Sequence, residues 1–306
     1  MKVISYLRTV PSGNKNPEKE NILHYFVQGV NRVGDRGILQ DQTALLDCDV
    51  AVIQGWVHEG SRNSTHLNFR KSIIDKQHKD RKHVLIADSN LFLYADKTNP
   101  HHYLRYSVDG VFPTTGNYFN SIVDPGRWQQ ISKDHGIHVK PWRTQGNHIL
   151  ICTQRNGGWS MKGFDVVEWL EKTVTEIRKY TARPIIVRAH PGDKNAINYL
   201  NSKDPRWTIS NAEKITDDFI NAWAVITYNS SPAVAAAIEG IPVFVTDPIP
   251  QMSQAFEVAN TELSLIESPK LFERQHWIEK TSMSHWNFQQ LKSGQAWNHI
   301  KKHIYD

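Results

Sequence analysis

The chain has 306 residues, of which 22% are charged and 39% apolar, and its formal net charge at pH 7 is +5. This composition is typical of folded globular proteins and excludes a largely disordered chain. No stretch approaches the roughly 20 apolar residues of a membrane span, and the first ten residues lack the apolar core of a secretory signal. We therefore expect a soluble, cytoplasmic protein that is long enough for two domains.

Positive charge is concentrated in segments such as 70–82 and the pair Lys301-Lys302. This bias favours an anionic partner, such as a nucleic acid, an acidic polymer or a phosphorylated substrate. The two cysteines, Cys48 and Cys152, lie in or beside apolar runs and predict buried thiols. The 15 histidines are scattered through polar segments without metal-ligand spacing, so we expect no metal site.

The first 90 residues alternate between short apolar runs and helical patterns. We predict strands over 3–7, 49–54 and 83–87, a helix over 17–33 and a basic helix before the third strand. Glycine, proline and aromatic residues then break the pattern between 99 and 143. From residue 148 the alternation resumes, with strands at 148–153, 184–190, 224–228 and 242–246 and helices at 164–180, 216–222 and 232–239.

This alternation of strands and helices predicts an α/β chain with two Rossmann-like doubly wound domains that face a central cleft. We place an acceptor-binding domain at 1–125, a linker at 126–147 and a nucleotide-donor-binding domain at 148–268. The segment 269–306 is expected to form helices that pack back toward the first domain.

The clearest functional signal is two predicted strands that end in polar turns. One ends at Arg188-Ala-His-Pro-Gly-Asp and the other at Tyr228-Asn-Ser-Ser-Pro, and a third loop, Thr153 to Ser160, contains two glycines. Because the carboxyl ends of parallel strands share one edge, the turns predict a single site, and a Ser-Ser helix start suits phosphate. The predicted donor-binding residues are Arg155, Gly157, Gly158, Ser160, Arg188, His190, Asp193, Lys194, Asn229, Ser230, Ser231 and Glu239. A structural histidine and a ligand-free tight turn are the alternatives.

Residues 148–247, about a third of the chain, resemble the donor domain of two-domain GT-B glycosyltransferases. The resemblance is to the capsule and teichoic-acid type, which carries a His-Pro turn and a Ser-Ser helix start. It implies a nucleotide-sugar donor, with a UDP-sugar as first choice, bound by Arg188, His190, Ser230 and Ser231. The nucleotide sugar is a co-substrate, and no further cofactor is expected.

The segment 140–160 also resembles small glycosyltransferase-like proteins of phages and bacteria whose acceptor is a modified DNA base. With the basic charge, this resemblance makes a hydroxylated base in phage DNA the preferred acceptor, inside the host cytoplasm, and Arg70 and Lys71 its predicted contacts. The alternative is a capsule or surface-polysaccharide glycosyltransferase. A sugar-nucleotide epimerase and a non-catalytic nucleotide- or DNA-binding module remain as further alternatives.

An acceptor hydroxyl attacking a sugar carbon needs a general base at a strand end of the first domain. The candidates are Asp88, Glu59, His58 and Asp35, and Asp88 is preferred because it directly follows a buried strand. If the enzyme retains anomeric configuration, stabilisation of the leaving group by Arg155, Arg188 or His190 would take over this role.

Overall fold

The computed structural model describes residues 1–11, 18–57, 64–92, 103–156, 159–161, 163–200 and 204–305. They form two compact units. The first unit comprises the described residues of 1–90, 103–137 and 278–305, and the second comprises Leu91, Phe92 and the described residues of 138–277. The first unit is thus built from two separate stretches of sequence. No described helix is both long and apolar enough to cross a membrane.

Strands and helices alternate along both units. The strands are β1 (Lys2–Tyr6), β2 (Arg36–Gln40), β3 (Val50–Gln54), β4 (His83–Asp88), β5 (Tyr103–Val108), β6 (His148–Cys152), β7 (Ile185–Arg188), β8 (Thr208–Ile209), β9 (Ala222–Thr227), β10 (Val243–Val245) and β11 (His285–Asn287). The helices are α1 (Glu18–Arg32), α2 (Thr65–Lys79), α3 (Pro125–His135), α4 (Val166–Ile177), α5 (Ala196–Tyr199), α6 (Ile215–Asp218), α7 (Pro232–Ile238), α8 (Gln275–Ser282), α9 (Phe288–Ser293) and α10 (Gln295–Tyr305).

The first unit contains a six-stranded sheet in the order β11-β5-β4-β3-β1-β2. Strands β1 to β4 pair in parallel, and β5 and β11 add two antiparallel pairings at one side. One core joins α1, α9 and α10 to a face of this sheet through residues such as Phe26, Val30 and Trp297. Helix α2 contacts β3 and β4. Because β3 is buried along nearly its whole length, its apolar residues run without alternation.

The second unit contains a wholly parallel five-stranded sheet in the order β10-β9-β6-β7-β8. Numbered by their order within this unit, the strands read 3-2-1-4-5 from β8 to β10, which is the Rossmann order. The direction of chain progression reverses between β6 and β9. In such sheets ligands bind outside the carboxyl ends of the strands at this reversal, so Thr153 and Tyr228, which follow the two strands, mark the expected site.

Local sequence determines where α4 begins. The carboxylate of Asp165 accepts hydrogen bonds from the backbone amides of Val167 (2.8 Å) and Glu168 (3.1 Å), which caps the first turn. The buried face of the helix includes Trp169, Leu170 and Val174, spaced to meet the sheet core.

The predicted α/β class with parallel sheets is confirmed, and β1, β3, β4, β6, β7, β9 and β10 lie at or near their predicted positions. Strands β2, β5, β8 and β11 were missed, and helix α3 occupies most of the first half of the segment assigned to a linker. In β5 the polar residues Arg105 and Ser107 interrupt the apolar pattern, yet all six residues are buried. Such a strand carries no periodicity that a single sequence can reveal.

Asp35 lies before β2, at the amino end of the first sheet, and not at the carboxyl edge where a general base was expected. Its carboxylate accepts hydrogen bonds from the α-amino group of Met1 (2.6 Å), Trp297 Nε1 (2.8 Å) and Lys301 Nζ (2.7 Å). Burial by itself would raise the pKa of Asp35, but these three donors lower it to about 2. The structure therefore gives Asp35 a structural contact with α10 and removes it as a candidate base.

We expect Asp35→Asn to lower the free energy of unfolding by about 2 kcal/mol at pH 7, because the ionised carboxylate is stabilised only in the folded state. A folded pKa below the unfolded value near 4 gives stability that is complete above pH 5 and lost as pH falls toward 2. The difference between wild type and variant, measured by urea unfolding from pH 7 to pH 3, should therefore shrink as the pH falls. Asp41→Asn, at an exposed aspartate, is the control; a constant difference across this pH range would contradict the assignment.

Candidate functional site

Loops leave the carboxyl edge of the second sheet after each of its strands, and those after β6, β7, β9 and β10 carry the predicted site. They begin at Thr153, Ala189, Tyr228 and Thr246. Thr153 joins the first loop to β7, since its backbone amide donates to the carbonyl of Arg188 (2.9 Å). The loops that follow β6 and β9, the two strands at the reversal, carry most of the residues predicted to bind a nucleotide.

A buried polar network holds the loops after β6, β9 and β10 together. Asn229 Nδ2 donates to Asp247 Oδ2 (2.7 Å) and to the carbonyl of Ser160 (3.2 Å), while its backbone amide donates to Gln154 Oε1 (3.0 Å). Gln154 Nε2 donates to the hydroxyl of Ser160. Gln154, Asn229 and Asp247 are all at least nine-tenths buried. Since unpaired polar groups are costly in the interior, this network fixes the loop backbones at the reversal point.

The carboxylate of Asp193 holds the loops after β6 and β7 together in a similar way. Its carboxylate accepts hydrogen bonds from the backbone amides of Asn156 (2.8 Å) and Asn195 (3.1 Å) and from the hydroxyl of Tyr199. Burial would raise the pKa of Asp193, but these donors and the charge of Arg155 lower it. Asp193 was predicted to contact the nucleotide; the structure instead shows a carboxylate that is occupied in holding two loops.

The side chains of Arg155, His190 and Lys194 are exposed at this edge. Neither Arg155 nor Lys194 forms an ion pair with any carboxylate in the described part of the chain. Partial loss of hydration and the positive charge of Arg155 lower the pKa of His190, so its ring is mostly neutral at pH 7. His190 Nδ1 accepts a hydrogen bond from the backbone amide of Gly192 (3.0 Å), which leaves Nε2 as the proton-bearing nitrogen. Together the three side chains suit an anionic ligand.

Arg188 does not contribute its charge to this exposed group. Its guanidinium forms an ion pair with the buried carboxylate of Asp218 and donates to the carbonyls of Ala212 and Glu213 at 3.0 Å each. Asp218 also accepts a hydrogen bond from the hydroxyl of Ser210 (2.6 Å). The prediction that Arg188 contacts phosphate is therefore corrected, because its donors are already used inside the unit.

The Ser230-Ser231 turn is present after β9, but it does not form the phosphate-binding helix start that the sequence suggested. Helix α7 has only seven residues, and Ser231 makes no side-chain cap. The hydroxyl of Ser230 is buried and finds no hydrogen-bond partner among the residues that the structure describes. An unsatisfied hydroxyl at a strand end is unusual, since it costs free energy unless a ligand or water pairs with it.

Glu239 was predicted to reach a ribose or sugar hydroxyl. It caps the carboxyl end of α7, which runs back from the carboxyl edge of the sheet toward the amino edge. There its carboxylate forms an ion pair with Lys140 (2.5 Å), and the backbone around it bonds to residues 140 and 143. The prediction was wrong because the helix carries Glu239 away from the strand ends.

At the carboxyl edge of the first sheet, Arg70 is buried beneath the ends of β1 and β3. Its guanidinium donates to the carbonyl of Thr9 through Nε (2.9 Å) and an Nη (2.6 Å), and to Gln54 Oε1 (3.3 Å). Gly55 makes this possible: it has a φ of 77°, and a Cβ there would lie 2.9 Å from Arg70. Only 7% of Arg70 is exposed, so it cannot serve as the DNA contact that was predicted, whereas Lys71 is exposed and pairs with Asp75 (2.9 Å).

We expect Arg70→Gln to lower the free energy of unfolding by about 2–4 kcal/mol, because it removes charge-assisted hydrogen bonds and leaves the carbonyl of Thr9 without its donors. Lys71→Gln, at the next position on the same helix, should change it by less than about 0.5 kcal/mol. Urea unfolding of both variants measures the contrast. Equal stability of the two variants would show that Arg70 does not support the strand ends.

Asp88 ends β4 at the same edge and keeps 26% of its side chain exposed. One carboxylate oxygen accepts a hydrogen bond from Arg105 (2.6 Å) and the other from the backbone amide of Ser89 (2.7 Å). Arg105 is buried, so it orients the carboxylate rigidly. Of the four candidate bases, Asp88 alone has a described position at a carboxyl strand end with access to solvent; His58 and Glu59, like Gly157 and Gly158, lie outside the described residues.

Three residues that sequence reasoning missed are Gln154, Asp247 and Arg105. Gln154 and Asp247 each follow a strand by two positions, so their polarity directly after an apolar run was a usable signal. Arg105 lies within β5 and pairs with Asp88 through an antiparallel register that nothing in the sequence indicates.

Two solved structures share the fold over nearly the whole chain. Thermosulfurimonas dismutans KpsC, described as a beta Kdo 2,4 transferase, superposes with a TM-score of 0.57 at 14% identity, covering 93% of this chain and 90% of that one. KpsC of the same organism, described as a beta Kdo 2,7 transferase, gives 0.50 at 11% identity, covering 98% and 100%. S. aureus MnaA with UDP reaches only 0.39 at 13% identity, covering 99% and 97%. No protein-family model and no curated protein matches the sequence.

The two KpsC structures are both described as Kdo transferases and have the GT-B type of fold. At such low identity the likeness establishes the fold and leaves the activity open. The resemblance of the sequence to the donor domain of GT-B enzymes is confirmed at this level.

Proposed function

We propose that this protein is a glycosyltransferase that takes a sugar from a nucleotide-sugar donor bound at the carboxyl edge of the second sheet. The observation that carries the proposal is the exposed set of Arg155, His190 and Lys194 beside the strand reversal of a Rossmann-ordered sheet. Two cationic groups without described ion-pair partners suit the phosphates of a nucleotide.

In the proposed reaction, an acceptor hydroxyl attacks the anomeric carbon of the donor sugar, and the bond from that carbon to the phosphate oxygen breaks. Asp88 takes the hydroxyl proton as general base. The negative charge that develops on the departing nucleotide is stabilised by Arg155 and Lys194, with the ring of His190 as a hydrogen-bond donor. The donor is a co-substrate that the reaction consumes, and a UDP-sugar is our first choice.

We propose a surface glycan of the capsule type as the acceptor, in preference to a DNA base. Two lines of support agree: the His-Pro and Ser-Ser segment resembles capsule-type transferases, and the two structures with the highest TM-scores reported above are both described as Kdo transferases. The DNA proposal has lost one of its two predicted contacts, since Arg70 is buried. The net charge of +5 remains compatible with either acceptor.

A thermal-shift screen of the full chain against nucleoside mono- and diphosphates and their sugar conjugates tests the donor half of the proposal. A ligand bound only by the folded protein raises the melting temperature, and we expect one base to be preferred at millimolar ligand. Absence of a shift with every nucleotide would overturn the proposal.

Once the preferred donor is identified, release of free nucleotide is measured with two acceptors, capsule-type oligosaccharides and hydroxylated duplex DNA. Nucleotide release that requires the glycan and changes little with salt supports the proposed acceptor. Release that requires DNA and falls steeply between low and physiological salt would favour DNA. Interconversion of the donor without any acceptor would identify an epimerase instead.

A further inference from the structure

The first unit contains an open cavity of about 630 Å³ between α3 on one side and the end of β11, α9 and the start of α10 on the other. This volume lies within the range of small-molecule sites. The cavity shares no residue with Arg70, Asp88 and Arg105, which lie at the carboxyl edge of the first sheet. It therefore needs an explanation of its own.

Every residue that lines the cavity is polar or glycine, and most of the side chains are neutral amides. Gln289 and Gln295 are exposed, and their side-chain amides have no hydrogen-bond partner within the described part of the chain. Gln130 faces them from α3. Each amide offers an acceptor oxygen and two donor hydrogens, which matches sugar hydroxyls, since these also donate and accept. No apolar side chain is among the residues that line the cavity, which argues against a lipid or a stacked base.

The charged groups at the cavity are largely engaged within the protein. Arg127 is buried, donates to the backbone carbonyls of Ser282 and His285, and lies over the Trp286 ring at 3.6 Å. Asp134 accepts hydrogen bonds from Tyr103 (2.7 Å) and Gln130 (2.6 Å). Asp124 caps α3 through the amide of Gly126 (2.9 Å). With two carboxylates against one guanidinium, the cavity does not favour an anionic ligand.

We propose that this cavity binds uncharged sugar units of a glycan chain. The rigid parts are the capped ends of α3 and α9, where Asn287 and Gln290 form a reciprocal capping pair. The free parts are the amides of Gln289 and Gln295, whereas the amide of Gln130 donates to Asp134. The inference stands on the cavity alone and does not require that the protein transfers a sugar.

The test is saturation-transfer NMR and calorimetric titration of the full chain with cellobiose, maltose and N,N′-diacetylchitobiose. We expect at least one disaccharide to bind with a dissociation constant in the millimolar range. The double variant Gln289→Ala with Gln295→Ala should weaken that binding roughly fivefold or more, as expected for lost hydrogen bonds. Gln129→Ala, an exposed neighbour of Gln130 that does not line the cavity, should leave it unchanged.

A second variant, Gln289→Trp, fills the cavity and should abolish the binding without lowering the melting temperature. The proposal is overturned if none of the three disaccharides binds at about 10 mM, or if both cavity variants bind as well as wild type. It is also overturned if Gln129→Ala weakens binding as much as they do. Nucleotide affinity of the same variants should be unchanged, so failure here is distinguishable from failure of the proposed transferase activity.

Discussion

Replacing Arg155 and Lys194 together with alanine is expected to weaken nucleotide binding by about two orders of magnitude. A hydrogen bond to a charged group contributes roughly 1.5–3 kcal/mol, and loss of 1.4 kcal/mol is a factor of about ten in affinity. Both side chains are exposed, so neither change should disturb the core. Calorimetry with the nucleotide preferred in the thermal-shift screen, at one fixed salt concentration, measures the loss.

The matched control is Lys172→Ala with Lys179→Ala, which removes two exposed lysines of the same unit. They lie on and after α4 and pair with Glu168 and Glu176. This control keeps the net charge equal to that of the test variant, so a general effect of charge would weaken both equally. Equal weakening in the two double variants, or none in either, would remove the proposed donor site.

Asp88→Asn is expected to lower the turnover number by at least about a hundredfold while nucleotide affinity stays within a factor of two. A positioned general base contributes roughly 10²–10⁴ to the rate, and asparagine cannot accept the proton. The amide keeps the shape of the side chain and an oxygen that can still accept from Arg105. Steady-state kinetics with the preferred donor and a glycan acceptor give the turnover number, and calorimetry gives the affinity.

This variant also weakens the ion pair with the buried Arg105, so the melting temperature must be measured alongside. Asp75→Asn, which removes an exposed carboxylate of the same unit, controls for lost charge. Loss of both turnover and nucleotide affinity would indicate misfolding, and Asp88→Glu would then serve as the second test. Turnover within a few-fold of wild type in a stable Asp88→Asn variant would exclude Asp88 as the base.

The sequence predicts most of the parallel strands of both sheets, all except β2 and β8, because each of these is a short apolar run bounded by polar turns. It also predicts where their ends meet, since carboxyl ends of parallel strands share an edge. For that reason Arg155, His190, Lys194 and Asn229 were expected at the carboxyl edge of the sheet, and the structure has them in the loops after β6, β7 and β9. Strand β5 could not be predicted, because Arg105 is buried only by virtue of its partner Asp88, 17 residues earlier in the sequence.

Burial of charged residues is the common cause of the errors at the site. From the sequence, Arg70 and Arg188 were predicted to be exposed cations, because arginine is seldom buried. In the folded chain each meets carbonyl or carboxylate oxygens contributed by distant segments, such as Thr9 for Arg70 and Asp218 for Arg188. The prediction for Glu239 was wrong for a different reason. The short helix α7 begins at the carboxyl edge of the sheet and ends at the opposite edge, where Glu239 lies. These outcomes depend on tertiary pairing, which residue spacing does not encode.

The division of the first unit between two stretches of sequence affects the order of events during synthesis. The second unit is almost continuous and can fold once residue 277 has left the ribosome. The first unit is completed later, because β11 pairs with β5 and α1 packs against α9 and α10, which follow residue 277 in the sequence. Until then the apolar face of α1 and the free edge of β5 stay open to other chains. We therefore expect newly made molecules to need protection from aggregation, for example by chaperones, more than the finished protein does.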